Sequence, residues 1–348
     1  MRLKFLIILI LLLFGLCSNL QAQESLRLKL DNYLHEITAN KNFSGTVLVA
    51  KRNKILLDQG YGFTDLKKTV KVTSDTKFYI ASITKQFTAS AILKLEERGK
   101  LKTTDLISKY FKNVPPDKAQ ITIHHLLTHT AGLAQNYIAD GIINRDEMVK
   151  VVLAEPLKNP VGEKFGYGND GYSLLAAIVE IASGESYENY FRRNLLQPAR
   201  MLNTGFWGEK NVLIADTKKE VPAEVKMPNW GFRGSGGMYS TVRDLFKWQQ
   251  ALFADKILSK NKREKLLTPN NQTSRGMHAY GWFISDPDSG TKYYWTAGYE
   301  DFGHNGIIKL YPDGTVIVVL TNSGDIDGQP ARDLVSNGLE QIIFDNKR

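Results

Sequence analysis

Apolar residues in this sequence follow a strand-like pattern at both ends of the chain and a helix-like one through its middle. Near the start, an amphipathic helix (about Leu26 to Ile37) precedes two extended apolar runs, Gly45 to Lys51 and Lys54 to Tyr61, with Arg52-Asn53 between them as a hairpin turn. Near the end, strand patterns recur at Tyr280 to Ile284, Lys292 to Trp295, Ile307 to Tyr311 and Thr315 to Leu320, with Pro312-Asp313-Gly314 as a turn and a closing helix at Ala331 to Phe344. Isolated strands are unstable and hairpin-linked strands run antiparallel, and the two ends are read as sharing one antiparallel sheet flanked by helices. The segment between them, roughly Ser82 to Pro269, is helical and rich in loops. The expected class is therefore α+β. It is one domain with a sheet lobe (23–81 and 270–348), an inserted helical lobe (82–269) and a cleft between them. No linker, repeat or low-complexity tract argues for more domains.

Chemistry is concentrated in three short motifs. Ser82-Ile83-Thr84-Lys85 is one of four Ser-x-x-Lys matches; the others start at Ser74, Ser259 and Ser289. Context selects Ser82. An extended apolar run, Lys77 to Ala81, leads into it, and Ile83, Phe87, Ala91 and Leu95 then recur every four residues, ending at Gly99. Ser82 is thus expected in the first turn of a buried helix, where free N–H groups and the helix dipole favour an alkoxide, with Lys85 on the same face. A lysine can act as a base there only where burial or nearby positive charge disfavours its charged form. The other matches lie in polar, turn-rich stretches.

Tyr167-Gly168-Asn169 has a rival of equal spacing in Tyr187-Glu188-Asn189. Tyr187, however, belongs to a helical apolar stripe with Tyr190, Phe191 and Leu195, the pattern of a core residue. Tyr167 lies in a glycine-punctuated loop, Phe165 to Gly171, able to bring a phenol and an amide to a substrate. The same loop matches Gly-x-Gly-x-x-Gly, but with no strand leading into it and no strand-helix-strand unit around it, a dinucleotide site is excluded. The third motif, His304-Asn305-Gly306, follows Trp295-Thr296-Ala297-Gly298 and opens a strand, where Gly306 leaves room for a scissile group and a backbone N–H can face an oxyanion.

Together these motifs resemble those of the serine β-lactamase and penicillin-binding-protein superfamily, on the class C side, whose middle motif is Tyr-x-Asn. The stretches His124 to Leu133 and Gly236 to Leu245 are similar to further hallmarks, so the resemblance covers nearly the whole chain after the leader. It implies a β-lactamase/transpeptidase-like fold and a covalent acyl-enzyme mechanism without cofactor. Ser82 would be the nucleophile, Lys85 the proton acceptor, Tyr167 the second acid/base and Asn169 a substrate anchor. Gly306 would flank an oxyanion hole made by the N–H groups of Ser82 and Ile307. One departure stands out: His304 takes the place of the lysine of β-lactamases. Histidine there resembles D-aminopeptidases and esterases of the superfamily. An unperturbed imidazole is mostly neutral at pH 7 and so a poor anchor for a carboxylate. The expected enzyme is a poor β-lactamase acting on an amide or ester, such as a D-amino-acid peptide derived from the cell wall. The competing expectation is a sensor or binding module of the same fold that is acylated slowly or not at all.

Location and partners follow from simpler features. Met1-Arg2-Leu3-Lys4, the apolar run Phe5 to Leu16 and Leu20-Gln21-Ala22 read as a signal peptide, residues 1–22, for export to the periplasm or medium. The run is too short for a comfortable membrane span. Cys17, the only cysteine, fits a lipoprotein signal poorly because bulky Leu16 precedes it. Formal net charge is +9, two of the positive charges lying in the leader, and the rest are scattered without the basic stripe of a nucleic-acid binder. His125 and His129 are spaced like a helical zinc pair, but Leu126 replaces the glutamate of that motif and no third ligand is evident, so no metal is expected. Thr241 and Asp244 form a helix capping box. Gly234-Ser235-Gly236 lacks the first glycine of a nucleophile elbow. Tyr79, Trp230, Tyr239 and Tyr299 are candidate cleft lining.

Overall fold

The computed structural model describes residues 2–134, 137–221, 228–285 and 292–344. Helix α1 (Arg2–Lys41) contains the expected Leu26–Ile37 segment and leads into strands β1 (Gly45–Lys51) and β2 (Lys54–Tyr61). Arg52 and Asn53, both with positive φ (49° and 64°), make the two-residue turn between them. The middle of the chain holds β3 (Phe78–Tyr79), α2 (Thr84–Glu97), α3 (Ile123–Leu127), α4 (Arg145–Ala154), α5 (Asp170–Ser183), α6 (Tyr187–Phe191), β4 (Gly205–Phe206), β5 (Met238–Ser240), α7 (Val242–Phe253) and α8 (Lys260–Leu267). Then come β6 (Asn271–Thr273), β7 (Gly276–His278), β8 (Phe283–Ser285), β9 (Tyr293–Tyr299), β10 (Asn305–Leu310), β11 (Thr315–Thr321) and α9 (Ala331–Phe344).

The two chain ends share one antiparallel sheet in the order β2-β1-β11-β10-β9-β8-β7-β6. The long-range seam runs in unbroken register from Gly45 opposite Thr321 to Lys51 opposite Thr315. Both faces of this sheet are covered, and alternation sorts its side chains between them. Val47, Val49, Ile307, Ile317 and Val319 pack with Leu30 and Leu34 of α1 and with Val335 and Leu339 of α9. Their neighbours Leu48, Ala50, Ile308, Val318 and Leu320 pack on the other face with α2, α5 and α7. A sheet buried on both sides requires nearly continuous apolar strands, which is how β1 and β11 read. A smaller sheet, β3-β5-β4, sits in the middle of the chain and ties Phe78-Tyr79 to Met238–Ser240. Among the described residues, no helix is long and apolar enough to cross a membrane.

Candidate active site

Ser82 lies in a single 3-10 turn, Ala81–Ile83, wedged between β3 and α2. Between Ile80 and Leu93 every residue except Ser82 is buried. Ala81 takes a left-handed φ of 46°, a conformation strained for a residue with a Cβ, and the Ile80 N–H donates to the Met238 carbonyl at 3.0 Å. The turn is thus held by its neighbours with the serine outward, and its leading N–H groups have no partner within the helix.

Lys85 follows one turn later with only 2% of its surface exposed. Its Nζ donates to the Asn169 Oδ1 at 2.7 Å and to the Ser235 carbonyl at 2.8 Å, and lies 3.0 Å from the Ser82 Oγ. Two of these contacts are to carbonyl oxygens, which only accept. They absorb two N–H groups whatever the protonation state, so the third position on nitrogen, the one facing Ser82, is where a proton is given or taken. Among the described residues no carboxylate forms an ion pair with Lys85. Asn169 stands at the N-cap of α5 without capping it, which leaves its side chain to Lys85. The Ser235 carbonyl was not foreseen; it comes from the glycine-rich turn 234–237, whose Gly234 has a φ of 82° and whose Gly234 carbonyl is held by Thr88 Oγ1 at 2.8 Å.

Tyr167 completes this side, its ring centroid 4.9 Å from the Lys85 Nζ. Its loop is pinned by His129: the Gly166 N–H donates to the His129 carbonyl (2.8 Å), the Gly168 N–H to its Nδ1 (3.3 Å), and the imidazole lies 4.5 Å from the Tyr167 ring. Burial, then the neighbouring His278 and Lys85, hold His129 well below the usual histidine range, so it stays neutral. His125 instead caps α3, its Nδ1 accepting from the Thr122 N–H at 3.2 Å. Tyr187 is core, its ring tilted against Phe191 with centroids 4.1 Å apart. Of the other Ser-x-x-Lys serines, Ser74 bonds the Asp58 carbonyl, Ser259 is exposed ahead of α8, and Ser289 lies outside the described residues.

The third motif is not where the sequence reading put it. His304 precedes and Asn305-Gly306-Ile307 begin β10, an inner strand paired to β9 on one side and β11 on the other. Ile307 lies between Ala297 and Val319, so its backbone belongs to the ladder and its side chain to the core. His304 is fully buried: its Nδ1 accepts from the Tyr79 N–H at 3.0 Å and its Nε2 donates to the Asp216 carbonyl at 3.2 Å. Burial pulls this imidazole down to about 4, and both nitrogens are already used. Asn305 bonds the Gly324 carbonyl and the Arg332 N–H. Gly306 faces Leu320 and Ile83. These are structural positions, and the assignment of His304, Gly306 and Ile307 to substrate or oxyanion is corrected here.

The strand beside Ser82 is β9. Its pairing with β8 ends at Trp295 opposite Phe283, leaving residues 296–299 unpaired on that edge. The Ser82 turn fills the gap: a Cβ on Gly298 would sit 2.1 Å from the Ile80 carbonyl oxygen and 2.9 Å from the Ala81 Cβ, so only glycine allows the approach. The Glu300 N–H donates to the His304 carbonyl at 2.8 Å, which sets the phase of the β9-β10 ladder. By alternation Gly298 is hydrogen-bonded to Gly306, while Ala297 and Tyr299 turn their N–H groups away from β10, toward the Ser82 turn. Tyr299 N–H and Ser82 N–H are therefore the pair suited to an oxyanion. The place expected for a lysine or histidine is held by Thr296, which is buried. Arg332 of α9 braces this strand from behind, donating to the Gly298 carbonyl at 2.6 Å. The available signal was Thr296-Ala297-Gly298 itself, a small residue pair ending in glycine on the strand before the hairpin. Of the aromatic lining candidates, Tyr299 is on this wall; Trp230 is buried, Tyr239 bonds Glu209 and Tyr79 packs on Trp207 and Phe302.

This arrangement has known counterparts. The profile of the family described as Beta-lactamase matches residues 30–338. A putative penicillin-binding protein PbpX of Bacillus subtilis (strain 168) is 34% identical over 258 residues, covering 72% of this chain but only 64% of the length of that relative. The crystal structure of a penicillin binding protein from Bacillus halodurans superimposes with a TM-score of 0.76 at 27% identity, covering 89% of this chain and 99% of that one. A D-amino acid amidase from Ochrobactrum anthropi SV3 shares the fold at 20% identity, with a TM-score of 0.77 over 92% of this chain and all of that one.

Proposed function

Because the chain belongs to the Beta-lactamase family, a family of serine hydrolases, we propose that it hydrolyses an amide or ester through a covalent acyl-enzyme on Ser82. The observation that carries this reading is the Lys85 side-chain nitrogen, buried, anchored by two carbonyl oxygens and left with one direction open, 3.0 Å from the Ser82 Oγ. The Ser82 oxygen attacks the substrate carbonyl carbon and its proton passes to Lys85. Ser82 and Tyr299 N–H groups hold the oxyanion. The tetrahedral adduct collapses as the leaving nitrogen or oxygen takes a proton relayed through Tyr167, and water then releases the acyl group by the reverse path.

Substrates in this reading are D-amino-acid peptides derived from the cell wall, or small esters. A threonine, not a lysine, on β9 supports weak action on β-lactams, whose carboxylate finds no fixed cation on that strand. The reading also includes export, with removal of residues 1–22; N-terminal sequencing of secreted material is expected to begin at Gln23, and a lipidated Cys17 would refute it. The activity is tested with a fluorophosphonate probe and a chromogenic ester. Wild type is expected to gain one adduct by intact mass and to turn over the ester, Ser82→Ala to do neither, and Ser259→Ala to do both. Labelling that persists in Ser82→Ala overturns the assignment.

A further inference from the structure

Glu300 directly follows the oxyanion residue Tyr299 and turns into the cleft. Its place is fixed through Gly236: the point where a Cβ on that glycine would sit is 3.7 Å from the Glu300 Oε1 and 3.8 Å from the carbonyl carbon of Ala81, which is bonded to the Ser82 nitrogen. The backbone around Glu300 is pinned, its N–H on the His304 carbonyl at 2.8 Å and its carbonyl accepting from the Gly303 N–H at 2.9 Å. Its side chain is half-buried and, among the described residues, has no hydrogen-bond or ion-pair partner. Lys85, the basic group felt at this carboxyl, already serves three oxygens, and the other charges felt there, Asp301 and Asp140, are acidic.

A carboxyl group half withdrawn from water beside a nucleophile, without a counter-charge of its own, is a site that a cation completes. Resting on the serine-hydrolase reading above, we propose that Glu300 is a specificity-determining residue that receives a positively charged group of the substrate near the scissile carbonyl, so that aminoacyl amides, esters or peptides with a free ammonium are preferred over their neutral or acidic counterparts. Burial pushes the Glu300 carboxyl up to about 8, against the pull of Lys85, as befits a carboxylate whose partner arrives with the substrate. With a neutral substrate the carboxyl keeps its proton and offers no ionic contact, and a carboxylate-bearing one finds no cation there and opposes its ionisation.

The test compares alanine 4-nitroanilide, as both enantiomers, with N-acetyl-alanine and N-succinyl-alanine 4-nitroanilides on the full chain. Wild type is expected to favour the free amine over the acetylated form by about tenfold or more in kcat/KM, chiefly through KM. Glu300→Gln removes that ratio, Glu300→Asp keeps most of it, and Glu300→Lys shifts the preference toward the succinyl substrate. A ratio unchanged in Glu300→Gln, or a uniform loss on all three substrates in a variant that melts like wild type, overturns the proposal. Wild-type protein that fails fluorophosphonate labelling refutes the underlying hydrolase reading instead, so the two failures are separable.

Discussion

The helical wall of the cleft and its strand wall are built on different principles. On the helical wall, side chains carry the proposed chemistry: Ser82 and Lys85 are three residues apart, and Asn169 reaches Lys85 from the N-cap of α5. On the strand wall, β9 offers backbone groups and the absence of a side chain at Gly298. The first kind of wall writes residue types into the sequence at a spacing set by the helix. The second writes a glycine, and which strand of a hairpin faces the nucleophile is decided by pairing.

That contrast can be broken by substitution. The largest effect is expected on the helical wall, where Lys85→Ala and Tyr167→Phe lower kcat/KM on a chromogenic ester by about a hundred- to ten-thousand-fold with the fold retained by circular dichroism. Retention of more than a tenth of the activity in Lys85→Ala would remove that residue from proton transfer. Next come the two paired glycines. Gly298→Ala drives a Cβ into the rigid Ile80 carbonyl, and a loss of about a hundred- to a thousand-fold is expected, comparable to deleting an oxyanion donor. Gly306→Ala meets mainly the adjustable Leu320 side chain, at 2.5 Å, and is expected to cost about 1–3 kcal/mol of stability with a much smaller change in rate. Equal losses of rate in both variants would show that β10 shares the wall with β9.

His304 sharpens the comparison as a residue that resembles a catalytic group and serves the backbone. His304→Ala orphans the Tyr79 N–H, takes one of the two donors from the Asp216 carbonyl, which Asn322 still serves at 3.1 Å, and empties a buried site; it is expected to lower unfolding stability by about 2–4 kcal/mol in urea. A stable His304→Ala with altered substrate preference would return the imidazole to the cleft.

The smallest effect is electrostatic and belongs to the helical wall. Asp170, in the first turn of α5, is 2% exposed and, among the described residues, its Oδ1 has no hydrogen-bond partner. Burial, then Asp140, pushes its carboxyl up to about 7, against a bond from the Ile138 N–H. With the folded value above the unfolded one, near 3.9, the folded state holds the proton more tightly between those limits. Stability contributed by this group is therefore full at low pH and lost as pH rises toward and through 7. His304 has the opposite sign, since its folded value of about 4 lies below the unfolded one and its contribution is lost as pH falls below about 6.5. Asp170→Asn is expected to gain about 1–3 kcal/mol relative to wild type between pH 5 and pH 7 in thermal or urea unfolding. An unchanged pH profile would mean that Asp170 ionises freely in the folded chain.

Sequence alone determined what local periodicity and local geometry encode. The β1-β2 hairpin with its Arg52-Asn53 turn, the closing helix Ala331–Phe344, the Thr241 cap of α7 and the Ser82-Lys85 pair are each set by residues within a few positions of one another. The nearly continuous apolar runs of β1 and β11 also carried the sheet, because a strand covered on both faces cannot be written with alternating polar residues. Tertiary structure alone decided the rest. That β9 and not β10 borders Ser82 depends on strand order, which His304-Asn305-Gly306 and Thr296-Ala297-Gly298 encode equally well. The Ser235 carbonyl on Lys85 comes from a turn 150 residues away and has no side-chain signature, since every residue has a carbonyl. The placing of Glu300 against the Ser82 turn, through the space above Gly236, joins three segments that nothing in their own sequences brings together. Contacts made by backbone groups across long separations are invisible to residue type, and the strand wall is made of little else.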